Sequence, residues 1–261
     1  MASVNLDWFD LTLTSFELVY GFGIVLLAGV VRGLAGFGFS ALCFFALAPV
    51  LSAQTIVPLM FVLEMLASLH LLPKVWRNIP WLWVTILFIG VLLGTPLGVL
   101  ALQYWQPEIV RGLAGGGVLI ACLALWRDWQ FKGTQSLVWL VLVGFIAGFL
   151  NGLASIGGLV VAVYMLSSNM SVTAMRAGLI LFFFFTDAYG LSWLQGQGLV
   201  SSSLPSLLLI MVPAMFVGNQ MGASLFKHMD VMLIRKLTLA LLSLLASIAL
   251  FSALAEMQVY K

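Results

Sequence analysis

The chain has 261 residues, of which 63% are hydrophobic and only 8% charged, whereas about a quarter of the residues in soluble domains carry charge. Those proportions exclude an ordinary soluble enzyme. They describe an all-α integral membrane protein whose apolar segments, each near the ~20 residues needed to cross a bilayer, fill almost the whole length. A net charge of +2 from scattered basic residues excludes a nucleic-acid partner.

The first 17 residues contain Asp7, Asp10 and Glu17 and no lysine or arginine, the opposite of a signal-peptide n-region. Residues 18–48 then form an apolar run too long for one plain span, interrupted at Arg32-Gly33-Leu34-Ala35-Gly36. Two short helices joined at a break fit it, and three spans follow at 54–72, 81–102 and 109–126. A polar linker, 127–136, leads to a second half with the same plan. It has a broken run at 137–166 and spans at 172–194, 204–226 and 232–255. The two halves are therefore read as repeats covering 1–126 and 137–261.

The duplication is visible in the residues. Positions 28–38 laid on 147–157, an offset of 119, agree at six of eleven places: Ala28, Gly29, Gly33, Leu34, Ala35 and Gly38. Farther along, Gly94, Gly98 and Arg111 match Gly218, Gly222 and Arg235 at an offset of 124.

Lysine and arginine favour the cytoplasmic side, and they discriminate between topologies. If both broken runs crossed the membrane, five basic residues would fall on each side. If both are re-entrant hairpins, Lys74, Arg77, Arg127, Lys132, Arg176, Lys227, Arg235 and Lys236 share one side against Arg111 and Lys261 on the other. The second distribution is the biased one. Each half then has an odd number of full spans, so the repeats are inverted about an axis in the membrane plane, as in many secondary transporters.

Half-helices of 11 to 14 residues would put each hairpin tip near the bilayer midplane. Irregular backbone at that depth needs protein or a wet cavity around it. The returning helices are expected to begin near Gly36 and Ser155, offering unpaired N–H groups and positive dipole ends. Arg32 adds forked donors suited to an oxyanion, and its repeat counterpart Asn151 adds a neutral amide. The candidate anion-binding residues are Arg32, Gly33, Gly36, Phe37, Gly38, Asn151, Gly152, Ser155, Gly157 and Gly158.

Alternatives stand beside that reading. Glycines also occur where transmembrane helices pack closely, and an intramembrane arginine can snorkel or pair with an acid. Glu64 and Asp187 lie inside spans. At the offset of 119 Glu64 matches Phe183 and Ser68 matches Asp187, one turn apart on equivalent faces. They either carry protons or balance Arg32. Arg176 reads as an anchor at a span start, and His70 and His228 as interfacial.

Cys43 and Cys122 have no partner at metal or redox spacing and read as core residues. Gly36-Phe37-Gly38-Phe39-Ser40-Ala41 matches a dinucleotide fingerprint in letters only, without a strand or soluble βαβ unit. Asn169-Met170-Ser171 is an accidental sequon on the expected cytoplasmic side. The chain shows no cofactor or metal motif and no nucleophile–base pair, and it is not expected to be an enzyme. Nine tryptophans, several near span ends, suit an interfacial belt.

At Gly29-Val30-Val31-Arg32-Gly33-Leu34-Ala35-Gly36-Phe37-Gly38, followed by Pro49, and at its echo Gly148-Phe149-Leu150-Asn151-Gly152-Leu153-Ala154-Ser155-Ile156-Gly157-Gly158, the sequence resembles the sulfite exporter TauE/SafE family of bacterial permeases. The resemblance spans essentially the full length. Ser155 and Ile156 stand where the second family motif often has consecutive glycines, leaving substrate preference open. The resemblance implies secondary transport of sulfite, a sulfonate or a related sulfur anion across the cytoplasmic (inner) membrane, more in the sense of export. Its implied partners are the lipid bilayer and that small anion, with a homodimer as the assembly to test. An anion channel and a non-transport membrane subunit are the rival readings.

Overall fold

The structure is a computed structural model that describes residues 14–127, 136–168, 170–225 and 231–259. All regular structure among the described residues is helical. Asp7, Asp10, Lys132, Asn169, Lys227, His228 and Lys261, used above, lie outside the described residues. The first half contains α1 (Ser15–Ala35), α2 (Phe39–Leu47), α3 (Ala53–Val75), α4 (Trp81–Tyr104) and α5 (Pro107–Trp126). The second contains α6 (Leu137–Ala154), α7 (Gly157–Ser167), α8 (Val172–Gly196), α9 (Leu204–Leu225) and α10 (Val231–Val259). Eight of these, all but α2 and α7, are long and apolar enough to cross a membrane.

Local chemistry sets the helix ends. Thr14 and Glu17 form a reciprocal capping box, with Glu17 Oε2 accepting from Thr14 N at 2.7 Å, which satisfies two otherwise orphaned donors at the start of α1. Ser52, Ser136 and Ser171 cap α3, α6 and α8 in the same side-chain-to-amide manner. At the other end of α1 the chain turns through Gly36 (φ 83°) and Gly38 (φ 91°), left-handed geometry that glycine adopts without a Cβ penalty.

The hairpins are present, but their arms are unequal. Arg32 and Gly33 were expected at the break; they lie inside α1, which continues to Ala35. Arg32 has a buried acidic partner and Gly33 packs on a neighbouring backbone, so neither interrupts the helix. The first arms have 21 and 18 residues, about 31 and 27 Å at 1.5 Å per residue. The returning arms have only 9 and 11. Thus α1 and α6 exceed the half-helices expected, and the breaks lie at Gly36–Gly38 and Ser155–Ile156. The chain does fold back: Tyr20 OH, near the start of α1, donates to Ala46 O, near the end of α2, at 2.8 Å. Every residue of α2 is buried, consistent with a sequence that is apolar but for Ser40.

Packing exchanges under the repeat relation. Helix α1 lies against α9, and its counterpart α6 lies against α4; α3 pairs with α8 and α5 with α10. Glycines form the first two seams. A Cβ on Gly33 would meet Asn219 O and Ala223 N of α9, and one on Gly152 would meet the equivalent Thr95 O and Val99 N of α4. Such backbone-to-backbone approach is what small residues allow where helices associate without a hydrophobic drive. The exterior is apolar, with Phe16, Ile120 and Phe251 more than two-thirds exposed. Trp76, Trp81, Trp105, Trp126 and Trp139 are exposed at helix ends, where amphipathic rings meet an interface.

Candidate functional site

Helices α3 and α8 carry the chemistry at their centres. From α1, Arg32 is 3% exposed and reaches α3 twice. Its Nη1 lies 3.0 Å from Glu64 Oε1 as an ion pair, and its Nη2 donates to Ser68 Oγ at 3.1 Å. From α2, Ser40 Oγ donates to the same Glu64 Oε1 at 2.6 Å. The guanidinium also lies over the ring of Phe183 of α8, 5.3 Å from its centroid, a cation–π contact.

The second hairpin repeats half of this. Asn151 Nδ2 donates to Asp187 Oδ1 at 2.9 Å, and Asn151–Asp187 is the pair that matches Arg32–Ser68 at the offset of 119. Asp187 lies within electrostatic reach of both Glu64 and Arg32. The two breaks therefore converge on one buried polar group containing a guanidinium and two carboxyls. Arg32 is both paired with an acid and exposed to a cavity, which joins two readings that the sequence had left as alternatives.

That cavity has a volume of about 220 Å³, roughly seven waters at ~30 Å³ each and smaller than sites for drug-sized ligands. Its polar lining among the described residues is Arg32, Arg176, His70, Asn219 and Gln220, none of them acidic. The Arg176 side chain lies across the α1–α2 break, with Nε 3.5 Å from where a Cβ on Gly36 would stand.

The expected site residues divide. Arg32, Gly33 and Gly36 line the cavity. Glu64, Asp187 and Asn151 form the polar group behind it. Gly38 faces Leu242 and Thr238 of α10, Gly152 faces α4, Gly157 faces Ala147 and Asn151, and Gly158 faces the Phe183 ring. Phe37 is buried in the core, and Ser155 is buried with its hydroxyl unpartnered. Sequence reasoning missed Arg176, His70, Asn219 and Gln220 as lining residues. Nothing in the sequence set Arg176 apart from a headgroup anchor at a span start.

A larger cavity, about 330 Å³, lies among Pro49, Gln54, Trp105 and Arg111. No break residue lines it, and Arg111 there pairs with Glu256 at 3.6 Å. Cys43 and Cys122 are buried free thiols. No cluster of three or more His, Cys, Asp or Glu side chains placed to hold a metal occurs among the described residues.

Eight helices long and apolar enough to cross a membrane describe a multi-pass membrane protein. The chain belongs to the sulfite exporter TauE/SafE family, whose model matches residues 21–249. Membership places it among membrane transporters of sulfur anions. No curated protein and no solved structure matches it.

Proposed function

We propose that this protein is a secondary carrier that exports sulfite or a small organosulfonate across the cytoplasmic membrane, loading the anion between Arg32 and Arg176. The observation that carries the reading is a small cavity whose lining, among the described residues, brings together two guanidinium-bearing side chains, a histidine and two amides, within a chain of this family. Arginine binds oxyanions through forked, charge-assisted donors. Asn219, Gln220 and His70 supply further polar contacts, and 220 Å³ suits a solute of few heavy atoms.

Its repeats are inverted in the membrane, with the cavity opening on the side rich in lysine and arginine. Reciprocal pairing of α1 with α9 and α4 with α6 supports this reading. Glu64 and Asp187 balance one guanidinium with two carboxyls, so the buried group is neutral when it holds one proton. Intramembrane acids in that situation are suited to proton coupling. Phe37, Gly38, Gly157 and Gly158 frame the starts of α2 and α7, which have no side-chain caps. Their first-turn amides would meet the anion once it passes Arg32, as one repeat moves against the other.

The test is flux of labelled sulfite, taurine and sulfoacetate in liposomes containing the purified chain. A carrier gives saturable flux stimulated by substrate on the far side; linear flux without such stimulation would make it a channel, and no flux of any of the three would remove the substrate class. Arg176→Gln removes one charge-assisted contact of about 1.5–3 kcal/mol. The half-saturation concentration should therefore rise about 10- to 150-fold.

A further inference from the structure

The lining of the open cavity has repeat-related counterparts in the other half. Four of its lining residues on α1 and α3, Arg32, Gly36, His70 and Leu71, correspond at the offset of 119 to Asn151, Ser155, Tyr189 and Gly190. Ile180 of α8 corresponds to Phe61 of α3, and Asn219 of α9 corresponds at the offset of 124 to Thr95 of α4. Contacts obey the same mapping. The ring of His70 stacks edge-on against Phe216 at 5.8 Å, while its counterpart Tyr189 bonds to Leu92 O, in the residue equivalent to Phe216, at 3.0 Å.

The two regions lie at opposite ends of the α3–α8 pair, which runs antiparallel. Gly178, early in α8, packs on Pro80 beyond the end of α3, whereas Gly190, late in α8, packs on Phe61, early in α3. At the first end there is space. At the second, Phe61 is fully buried, and its Cε2 lies 2.5 Å from where a Cβ on Gly190 would stand.

Around the second break several polar groups are unsatisfied. Thr95 Oγ1, Asn151 Oδ1, Ser155 Oγ and Asp187 Oδ2 are buried without a hydrogen-bond partner, and their residues are at most 2% exposed. Each such atom costs about 1–3 kcal/mol, and native interiors hold few. Ser155 is also the one non-glycine residue with positive φ among those described, at 58°, a strained setting that structures keep where function requires it. Groups of this kind clustered on α4, α6, α8 and the α6–α7 break match a space that fills with water or solute in another state.

We propose that Thr95, Asn151, Ser155 and Asp187 line a second, closed chamber for the same class of small oxyanion, sealed by Phe61 lying on Gly190. This rests on the carrier reading above. The two chambers differ in chemistry: where the open one has Arg32 and Arg176, the closed one has Asn151 and Val57. Asn151 and the Thr95 and Ser155 hydroxyls are neutral, and an ionised Asp187 carboxyl repels an anion, so the closed chamber holds one less tightly than a guanidinium does. The open cavity is thus the loading site and the closed chamber the release site.

The test uses the full chain in liposomes, with Cys43 and Cys122 replaced by alanine and a single cysteine at Asn219, Thr95 or Ser155. A membrane-impermeant thiol reagent is added to one face at a time, with and without sulfite. Asn219→Cys should label from one face, and Thr95→Cys and Ser155→Cys only from the other. Minor conformers are typically populated at about 0.1–10%, so Phe61→Ala should raise labelling of Thr95→Cys roughly tenfold or more, even without sulfite. Labelling of Thr95→Cys and Ser155→Cys from the Asn219 face, or no labelling of either even with Phe61→Ala, overturns the chamber whether or not sulfite moves. Opposite-face labelling with no sulfite flux keeps the chamber and removes sulfite as the substrate. A sulfite half-saturation no lower at the Asn219 face than at the other overturns the assignment of loading and release.

Discussion

Removing the Arg32 guanidinium tests whether the buried ion pair serves structure, transport or both. In Arg32→Met the apolar stem is kept, but Glu64, 2% exposed, loses the cation 3.0 Å away and retains only the Ser40 hydroxyl at 2.6 Å. Leaving one member of a buried pair uncompensated costs about 3–5 kcal/mol. At roughly 2–4 °C per kcal/mol for a chain of this size, the melting temperature should fall on the order of 10 °C. Adding Glu64→Gln removes the orphaned charge and restores most of that loss, because a neutral amide can still accept from Ser40. The stability deficit of the double variant should therefore be smaller than that of Arg32→Met, giving a coupling energy of the sign expected for contacting residues. Transport should behave differently: both variants lack the guanidinium at the cavity, so saturable sulfite flux is lost in both. Thermal melts in detergent and flux in liposomes read the two properties separately. Undiminished flux in the double variant would refute Arg32 as an anion ligand, and a double variant no more stable than Arg32→Met would refute the energetic importance of the pair.

Other consequences are simpler to check. Gly33→Ala should destabilise by about 1–3 kcal/mol, the usual cost of overpacking, because its methyl would meet Asn219 O, Ala223 N and the Gly222 backbone. Gly23→Ala, where nothing lies within 4 Å, should instead stabilise by about 0.5–1 kcal/mol through helix propensity; melts of the two variants give the comparison. Ser155→Gly should raise stability by roughly 1 kcal/mol, since glycine adopts a φ of 58° without the left-handed penalty and the change removes an unpartnered buried hydroxyl. A cysteine at Ser52, between α2 and α3, should label only from the face that carries the N-terminus, as re-entrant hairpins require; labelling from the other face would rule that topology out.

Much of this was readable from the chain because it is written twice. The echo of 28–38 at 147–157 located both breaks to within a few residues, and the match of Ser68 to Asp187 placed these residues on equivalent helix faces, without showing that they contact Arg32 and Asn151. The error in helix ends came from reading Arg32 as an interruption. An arginine in an apolar run cannot show in one dimension that its acid lies 32 residues on, and with Glu64 in place the helix runs past it. The cavity was less legible. Its lining comes from α1, α3, α8 and α9, brought together by glycine seams, so Asn219 and Gln220 look like ordinary polar residues in a packing helix. Arg176 near the start of α8 was indistinguishable in sequence from a headgroup anchor, and only its position over Gly36 identifies it as part of the pocket.

The glycine seams also bear on biogenesis. Since α1 finds its tight partner in α9 and α6 finds its own in α4, neither half can complete its close-packed interfaces alone. During synthesis α1 must remain without that neighbour until almost the whole polypeptide has been inserted, so the first half expressed separately should be degraded unless the second is supplied in the same cell.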